Sequence, residues 1–271
     1  MIGQRKYDYL KNLATELSDT DRKLMTEFEE SRKVELTEKN KKYFKNMKRS
    51  VLKGDYHVDY DKLLNAFKSR FRELKSTKFD ESRLNNVDCI LKYFANDKEF
   101  LKNDLHCKNK KGGFISQPSF NKGLLIVGDY GCGKSSTMQV LKSLFDNTPL
   151  TFKSYTTNRI VTSFESFSDN SDRTAYINRT TTKDAYFDDV KTEKDASNYG
   201  VHNLMKSILE ERSISDHGFK TYMTCNFVEG DRNKDVESAL YEFNTRYGER
   251  VFDRLFEMCN IIEFKGGSMR K

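Results

Sequence analysis

An apolar run followed at once by a glycine-rich loop constrains this chain more than any other feature. Residues 123–128 read GLLIVG, a short and almost entirely apolar stretch of the kind that is buried on both faces of a parallel sheet. Residues 128–135 then fit the pattern G-x-x-x-x-G-K-[ST], and an amphipathic helix is expected from Lys134. A strand, a loop and a helix in this order predict a phosphate-binding unit of an α/β fold.

The residue types of this loop suit the binding of phosphate groups. Glycines let the backbone N–H groups point inward at phosphate oxygens, and the N-terminus of the following helix adds a positive dipole. Lys134 would neutralise the β- and γ-phosphates, and the Ser135 hydroxyl would bind Mg²⁺. The loop therefore predicts binding of ATP and Mg²⁺. The predicted nucleotide-binding residues are Gly128, Asp129, Tyr130, Gly131, Cys132, Gly133, Lys134, Ser135 and Ser136.

Strand-like and helix-like segments alternate after the loop. Further strands are predicted near 152–156, 184–188, 220–225 and 260–264. Helices are predicted near 134–146, 158–167, 200–213 and 234–258. This alternation is typical of βαβ units and predicts a five-stranded parallel sheet flanked by helices.

Polar residues end two of the predicted strands, at the edge where open α/β sheets bind ligands. Asp188 is the last residue of the strand predicted near 184–188, and Asp189 follows it; Asn226 follows the strand near 220–225. We expect Asp188 to hold Mg²⁺ through water, Asp189 to polarise the attacking water and Asn226 to orient it. The alternatives are a pair of solvated loop acids and an ordinary turn residue.

Arginines near the end of the chain offer a further catalytic group. The planar guanidinium suits the charge that develops on a γ-phosphate, although a surface ion pair is the alternative for each arginine. The predicted catalytic residues are Lys134, Asp188, Asp189, Asn226, Arg254 and Arg270, with Ser135 and Asp188 as the metal ligands.

The first 78 residues differ from the rest of the chain in their pattern of charged and apolar residues. This pattern predicts charged helices with a narrow apolar stripe. We therefore expect two domains, residues 1–78 and 79–271. Two basic stretches, 39–53 and 67–78, mix Lys and Arg with aromatic residues, a pattern that can hold single-stranded nucleic acid. Phe67 and Phe71 have the i,i+4 spacing of one helix face, which favours packing in a core instead.

Composition limits the class of protein. The formal net charge of +7 favours an anionic partner. The five cysteines are scattered without a C-x-x-C pair, which is typical of reduced cysteines and not of a disulfide framework or zinc site. No apolar run approaches the ~18–20 residues that cross a bilayer, and no signal peptide is evident, so a cytoplasmic location without a membrane partner is expected.

From about Phe79 to Lys271 the chain resembles the AAA+ helicase loaders of the DnaC/DnaI type, with the IstB transposition helpers as close relatives. The P-loop is shared by many families, and the other segments are more specific. The segments that carry the resemblance are GDYGCGKSS (128–136), YFDDVKTE (186–193), NYGVHNLMKSILEER (198–212), TYMTCNF (221–227), YGERVFDRLFEM (247–258) and GGSMR (266–270).

The resemblance implies an AAA+ P-loop core with a helical N-terminal extension and no C-terminal lid domain. It implies that Arg254 is an arginine finger reaching a neighbouring subunit's ATP and that Arg270 acts on its own subunit's nucleotide. An oligomeric ATPase encoded by a phage, a mobile element or a bacterium would then load a replicative ring helicase onto single-stranded DNA. The N-terminal region would bind the helicase.

The same resemblance places an insert between the second strand and Asp188 at a central channel. The insert residues concerned are Arg159, Arg173, Tyr176, Arg179 and Lys183. Asp189 stands where many AAA+ enzymes have Glu, which predicts slower hydrolysis. Residues 1–78 match no loader motif. A transposition helper acting on duplex DNA, and a scaffold that binds ATP without hydrolysis, remain alternatives.

Overall fold

The computed structural model describes residues 22–23, 26–27, 29–31, 58–76, 79–197, 201–214, 218–231 and 233–268. The chain divides into two compact units, residues 1–56 and 57–271. The described residues of the first unit are helical. The other helices predicted before residue 57 and the basic stretch 39–53 lie outside the described residues, as does Arg270.

A sheet of five parallel strands forms the centre of the second unit. Its strands are β1 (Gly123–Gly128), β2 (Lys153–Thr156), β3 (Ala185–Asp188), β6 (Thr221–Asn226) and β7 (Cys259–Phe264). They lie in the order β2-β3-β6-β1-β7, so that β1 is flanked by β6 and β7. A separate antiparallel pair consists of β4 (Ala196–Ser197) and β5 (Val201–His202). The five predicted strands are confirmed, each within one residue of its expected bounds.

Helices cover both faces of this sheet. The helices of the second unit are α1 (Tyr60–Lys75), α2 (Leu84–Phe94), α3 (Lys134–Phe145), α4 (Thr157–Ser166), α5 (Asn170–Thr181), α6 (Leu204–Ile214), α7 (Val236–Tyr247) and α8 (Glu249–Met258). Short 3₁₀ turns occur at Glu81–Arg83 and Lys98–Lys102. Among the helices described, none has both the length and the apolar content that a bilayer crossing requires.

Aspartate side chains cap the N-termini of five of these elements: Asp59, Asp80, Asp97, Asp169 and Asp235. The Asp59 carboxylate accepts from Lys62 N at the start of α1, and the Asp235 carboxylate accepts from Ser238 N at the start of α7. Asp80 caps the 3₁₀ turn Glu81–Arg83, not α2 itself. The single helix predicted over 234–258 is wrong: Gly248, with φ 87° and ψ 164°, divides it into α7 and α8.

The strands alternate their side chains between two apolar clusters, one on each face of the sheet. Leu124 and Ile126 of β1 pack with residues of α1, α2 and α3. Leu125 and Val127 pack on the opposite face with residues of α4, α6, α7 and α8. Burial on both faces explains why β1 is continuously apolar, and the predicted fold class, a P-loop α/β core, is confirmed.

Helix α1 packs within the second unit, next to α3. Phe67 and Phe71 are buried, and Phe71 makes an edge-on ring contact with Phe79 at 5.4 Å. Arg70 Nε donates to Ser143 Oγ of α3 at 2.7 Å. The expectation that Phe67 and Phe71 face a core is confirmed. The compact unit that contains the sheet begins at residue 57, and the apolar face of α1 is buried in it.

Candidate nucleotide-binding site

The carboxyl ends of β1, β3 and β6 meet at one edge of the sheet. Gly128 at the end of β1 is in register with Asn226 at the end of β6. On the other side of β6, Phe187 is in register with Met223, which places Asp188 beside Thr224. The structure therefore brings together the P-loop, the two predicted acids and the predicted amide.

The P-loop backbone needs glycine at two positions. Gly131 and Gly133 have φ values of 73° and 101°, in the left-handed region that side chains disfavour. A Cβ on Gly131 would also lie 2.4 Å from Ser268 Oγ. The loop leads directly into the N-terminus of α3 at Lys134. A glycine-lined loop at a helix N-terminus fits the phosphate groups of a nucleotide.

The Lys134 ammonium lies against the backbone of the P-loop. Its residue is only 6% exposed. Its Nζ donates to the carbonyl oxygens of Gly128 and Asp129, both at 2.8 Å, and to Asn226 Oδ1 at 3.0 Å. A buried ammonium at this place is suited to neutralise phosphate charge.

Ser135 and Asp188, the two predicted metal ligands, are hydrogen-bonded to each other. Ser135 Oγ donates to Asp188 Oδ1 across 2.7 Å. Hard oxygen ligands of this kind, a hydroxyl and a carboxylate, suit Mg²⁺ bound together with substrate phosphates. The residues present at this position therefore fit the predicted ion.

The second acid, Asp189, lies in a tight turn after β3. Its φ of 60° is in the left-handed region. Its Oδ1 accepts a hydrogen bond from Asn226 Nδ2 at 2.7 Å, and its backbone N donates to Thr224 Oγ1 at 3.0 Å. Burial, and then the negative charge of Asp188, raise the pKa of its carboxyl. A carboxylate with a raised proton affinity and a fixed amide neighbour is suited to polarise water.

Two hydroxyl groups at the site were missed by the sequence analysis. Tyr186 OH donates to Asp188 Oδ1 at 2.6 Å, and Thr224 Oγ1 donates to the same oxygen at 2.7 Å. Side chains two residues apart on a strand lie on one face. That spacing relates Tyr186 to Asp188 and Thr224 to Asn226, and it was the signal available in the sequence.

Lys191 joins the loop after β3 to α7 and was also missed. Its Nζ donates to the carbonyl oxygens of Asn226 at 3.0 Å and Ala239 at 3.1 Å. It also pairs with the carboxylate of Glu242. The end of β6, which carries Asn226, is thereby fastened to α7.

Glu193 fastens the same loop to the other end of α7. The residue is 3% exposed, and its Oε1 accepts from Tyr247 OH at 2.7 Å and from Arg246 Nε at 3.0 Å. Tyr247 OH in turn accepts from Lys191 N at 2.9 Å. Lys191 and Glu193 belong to the segment YFDDVKTE, which supported the family resemblance, but the resemblance assigned no role to either residue.

Arg254 lies apart from this cluster, on α8. Its side chain is 43% exposed, and its Nη1 pairs with Glu257 Oε2 at 2.6 Å. Its role as an arginine finger is not tested by these contacts. The insert residues Arg159, Arg173, Tyr176 and Arg179 lie on α4 and α5, and Lys183 follows α5.

Comparisons with known proteins give distant structural similarity only. No family model matches the chain, and no curated protein matches it. The structure is similar to that of the DnaC helicase loader, with 19% identity and a TM-score of 0.41 over 54% of this chain and 79% of that one. It is similar to DnaI, with 16% identity and a TM-score of 0.41 over 53% and 73% of the two chains.

Proposed function

We propose that this protein is an oligomeric AAA+ ATPase that uses ATP to load a replicative ring helicase onto single-stranded DNA. One observation carries the ATPase part: Asn226 is hydrogen-bonded both to the P-loop lysine Lys134 and to Asp189, beside the pair Ser135–Asp188. A phosphate-binding cation, a metal-binding pair and a water-polarising acid in direct contact are the parts that ATP hydrolysis needs.

Each residue then has a definite task. The P-loop amides and Lys134 bind the phosphates, and Ser135 and Asp188 hold Mg²⁺. When bound, the ion neutralises charge on the phosphate oxygens. Asp189 polarises the water that attacks the γ-phosphate, and Asn226 fixes the position of the Asp189 carboxylate. Arg254 of a neighbouring subunit completes the site, which its exposed position on α8 permits.

The loader part depends on the resemblance of the sequence segments. The segments more specific than the P-loop fall on the elements that build or border the site: β3 and the loop after it, β5 with α6, β6, and α8. The net charge of +7 supports an anionic polymer as ligand. Residues 1–78 are assigned to helicase binding because relatives of this type bind their partner through that end.

Two alternatives follow from the same features. An IstB-like transposition helper shares these segments and would act with a transposase on duplex DNA. A nucleotide-switched scaffold would bind ATP and assemble without needing hydrolysis, and the short Asp189 side chain in place of Glu is the observation that favours slow turnover.

The deciding experiment measures transfer of a ring helicase from the protein's own replication system onto circular single-stranded DNA. We expect transfer to require ATP and to be lost in Lys134→Ala. Lys142→Ala, on the outer side of the same helix and paired with Asp146, is the matched control and should act as the wild type does. Equal transfer by Lys134→Ala would contradict the proposal.

The alternatives give different results in the same assay. ATP-dependent binding to a transposase on duplex DNA, without helicase transfer, would support the transposition helper. Tight ATP binding with no turnover, even with DNA and the helicase present, would support the scaffold.

A further inference from the structure

Three hydroxyl groups converge on a single oxygen atom of Asp188. Ser135 Oγ, Tyr186 OH and Thr224 Oγ1 lie 2.7, 2.6 and 2.7 Å from Oδ1. All hydrogen bonds found for this carboxylate among the described residues end on Oδ1. A carboxylate oxygen offers two lone pairs, so Oδ1 has one donor more than it can fully satisfy.

The direction of these hydrogen bonds follows from the number of protons. Thr224 and Tyr186 have one hydroxyl proton each, and the shortest contact of each is with Asp188. The two hydroxyl oxygens are 3.2 Å apart. Because each has already donated its proton to Asp188, neither can donate to the other. Thr224 Oγ1 instead accepts from the backbone N of Asp189. The Thr224 hydroxyl therefore lies between the two acids and contacts both.

Burial leaves the Tyr186 and Thr224 side chains little freedom to turn away from Asp188. Each is 1% exposed. They lie on the neighbouring strands β3 and β6, and the Tyr186 ring packs edge-on against Phe152 with 6.3 Å between ring centroids. Ser135, by contrast, belongs to the P-loop helix and is the hydroxyl assigned to Mg²⁺. If Ser135 turns to the ion, the two buried donors still satisfy Oδ1.

We propose that Tyr186 and Thr224 are positioning residues of the Mg²⁺ site: they hold Asp188 through Oδ1 and leave Oδ2 for the water of the metal ion. This inference rests on the proposed function, because it assumes that the site takes ATP with Mg²⁺. It assigns the two residues a role in metal affinity, separate from phosphate binding by Lys134. Thr224 has a second effect, because its hydroxyl also accepts a hydrogen bond from the backbone N–H of Asp189, the residue proposed to polarise water.

The test is a Mg²⁺ titration of the full chain with a fluorescent ATP analogue. For Tyr186→Phe and for Thr224→Val, we expect the half-saturating Mg²⁺ concentration to rise about threefold to tenfold, the effect of losing one hydrogen bond of ordinary strength. The double variant should need more Mg²⁺ than either single variant. Affinity for the analogue in EDTA should stay at the wild-type value in all of them.

Matched variants separate positioning from simple structural damage. Thr224→Ser keeps the hydroxyl and should behave as the wild type does. Tyr93→Phe removes another buried tyrosine hydroxyl, which donates to Lys122 O at 2.7 Å, and should leave the Mg²⁺ requirement unchanged. Of the two threonine variants, only Thr224→Val should also lower the turnover number at saturating Mg²⁺. If Tyr186→Phe does not fold, the pair Thr224→Ser and Thr224→Val makes the same comparison.

Two results would overturn the inference. One is a half-saturating Mg²⁺ concentration in the double variant within about twofold of the wild type, less than one hydrogen bond is worth. The other is a loss of affinity in EDTA as large as the loss with Mg²⁺. A wild-type chain that binds no analogue under either condition would instead contradict the proposed function itself.

Discussion

Asn226 donates a hydrogen bond from Nδ2 to Oδ1 of Asp189 across 2.7 Å. The other end of the same amide accepts from Lys134 Nζ at 3.0 Å. One side chain therefore contacts both Lys134, which we propose binds phosphate, and Asp189, which we propose polarises water. Because an amide has a donor end and an acceptor end, it fits between an ammonium and a carboxylate in this orientation only.

Substitution of Asn226 should separate binding from chemistry. In Asn226→Ala we expect ATP affinity within about threefold of the wild type and a turnover number about 10²-fold lower, comparable to the loss of one preorganised hydrogen-bond donor of an active site. Asn226→Asp places a second carboxylate against Asp189 and should lower both quantities. Steady-state hydrolysis and nucleotide titration measure them. Unchanged turnover in Asn226→Ala would contradict the role.

The backbone at Asp189 should resist the Glu found at this position in many AAA+ enzymes. With φ at 60°, the residue lies in a region that Asp and Asn tolerate better than longer side chains. We expect Asp189→Glu to lower the free energy of unfolding by about 1 kcal/mol relative to Asp189→Asn. Urea denaturation measures the difference. Equal stability of the two variants would show that the turn imposes no such preference.

Loss of the buried Glu193 carboxylate should destabilise the fold. Glu193→Ala leaves Arg246 and Tyr247 without their acceptor, and we expect a loss of about 2 kcal/mol, since Arg246 is partly exposed and water replaces some of the interaction. Glu193→Gln retains an acceptor oxygen and should cost less. Glu257→Ala removes an exposed ion pair with Arg254 and should change stability by less than ~0.5 kcal/mol. Equal effects of Glu193→Ala and Glu257→Ala would contradict this account.

Mixing two inactive variants tests whether the site is shared between subunits. Arg254→Ala and Asp189→Asn should each abolish most hydrolysis alone, but a mixture should recover part of it because each supplies what the other lacks. Arg250→Ala, an exposed arginine on the same helix, is the matched control and should hydrolyse ATP normally. No recovery at any mixing ratio would argue against Arg254 as a finger acting on a neighbouring subunit.

The central strands and the P-loop could be predicted because their patterns are local. GLLIVG is apolar throughout since both of its faces are covered, and the glycines of the loop follow from left-handed backbone angles. Asp188 and Asn226 could be placed because each ends a strand. Helix α5 could not be predicted from the sequence. Most of its residues are exposed and the buried one is Thr180, so the sequence shows no apolar stripe there.

The hydrogen bonds around Asp188 and Asp189 required the three-dimensional structure. Tyr186 and Thr224 have the β-branched or aromatic side chains expected of any strand, so nothing in their identity marked them as polar partners. Their meeting depends on the register of β3 with β6, which separates them by 38 residues in the chain. The partners of Lys191 and Glu193 on α7 are likewise far from them in the sequence, so these contacts could not be predicted without the fold.

The packing of Ser268 over Gly131 has a practical consequence for labelling experiments. A Cβ added at Gly131 would lie 2.4 Å from Ser268 Oγ, so the backbone after β7 passes within side-chain reach of the phosphate-binding loop. A fluorophore attached at position 268 would report nucleotide binding directly, whereas a bulky affinity tag joined there would obstruct it.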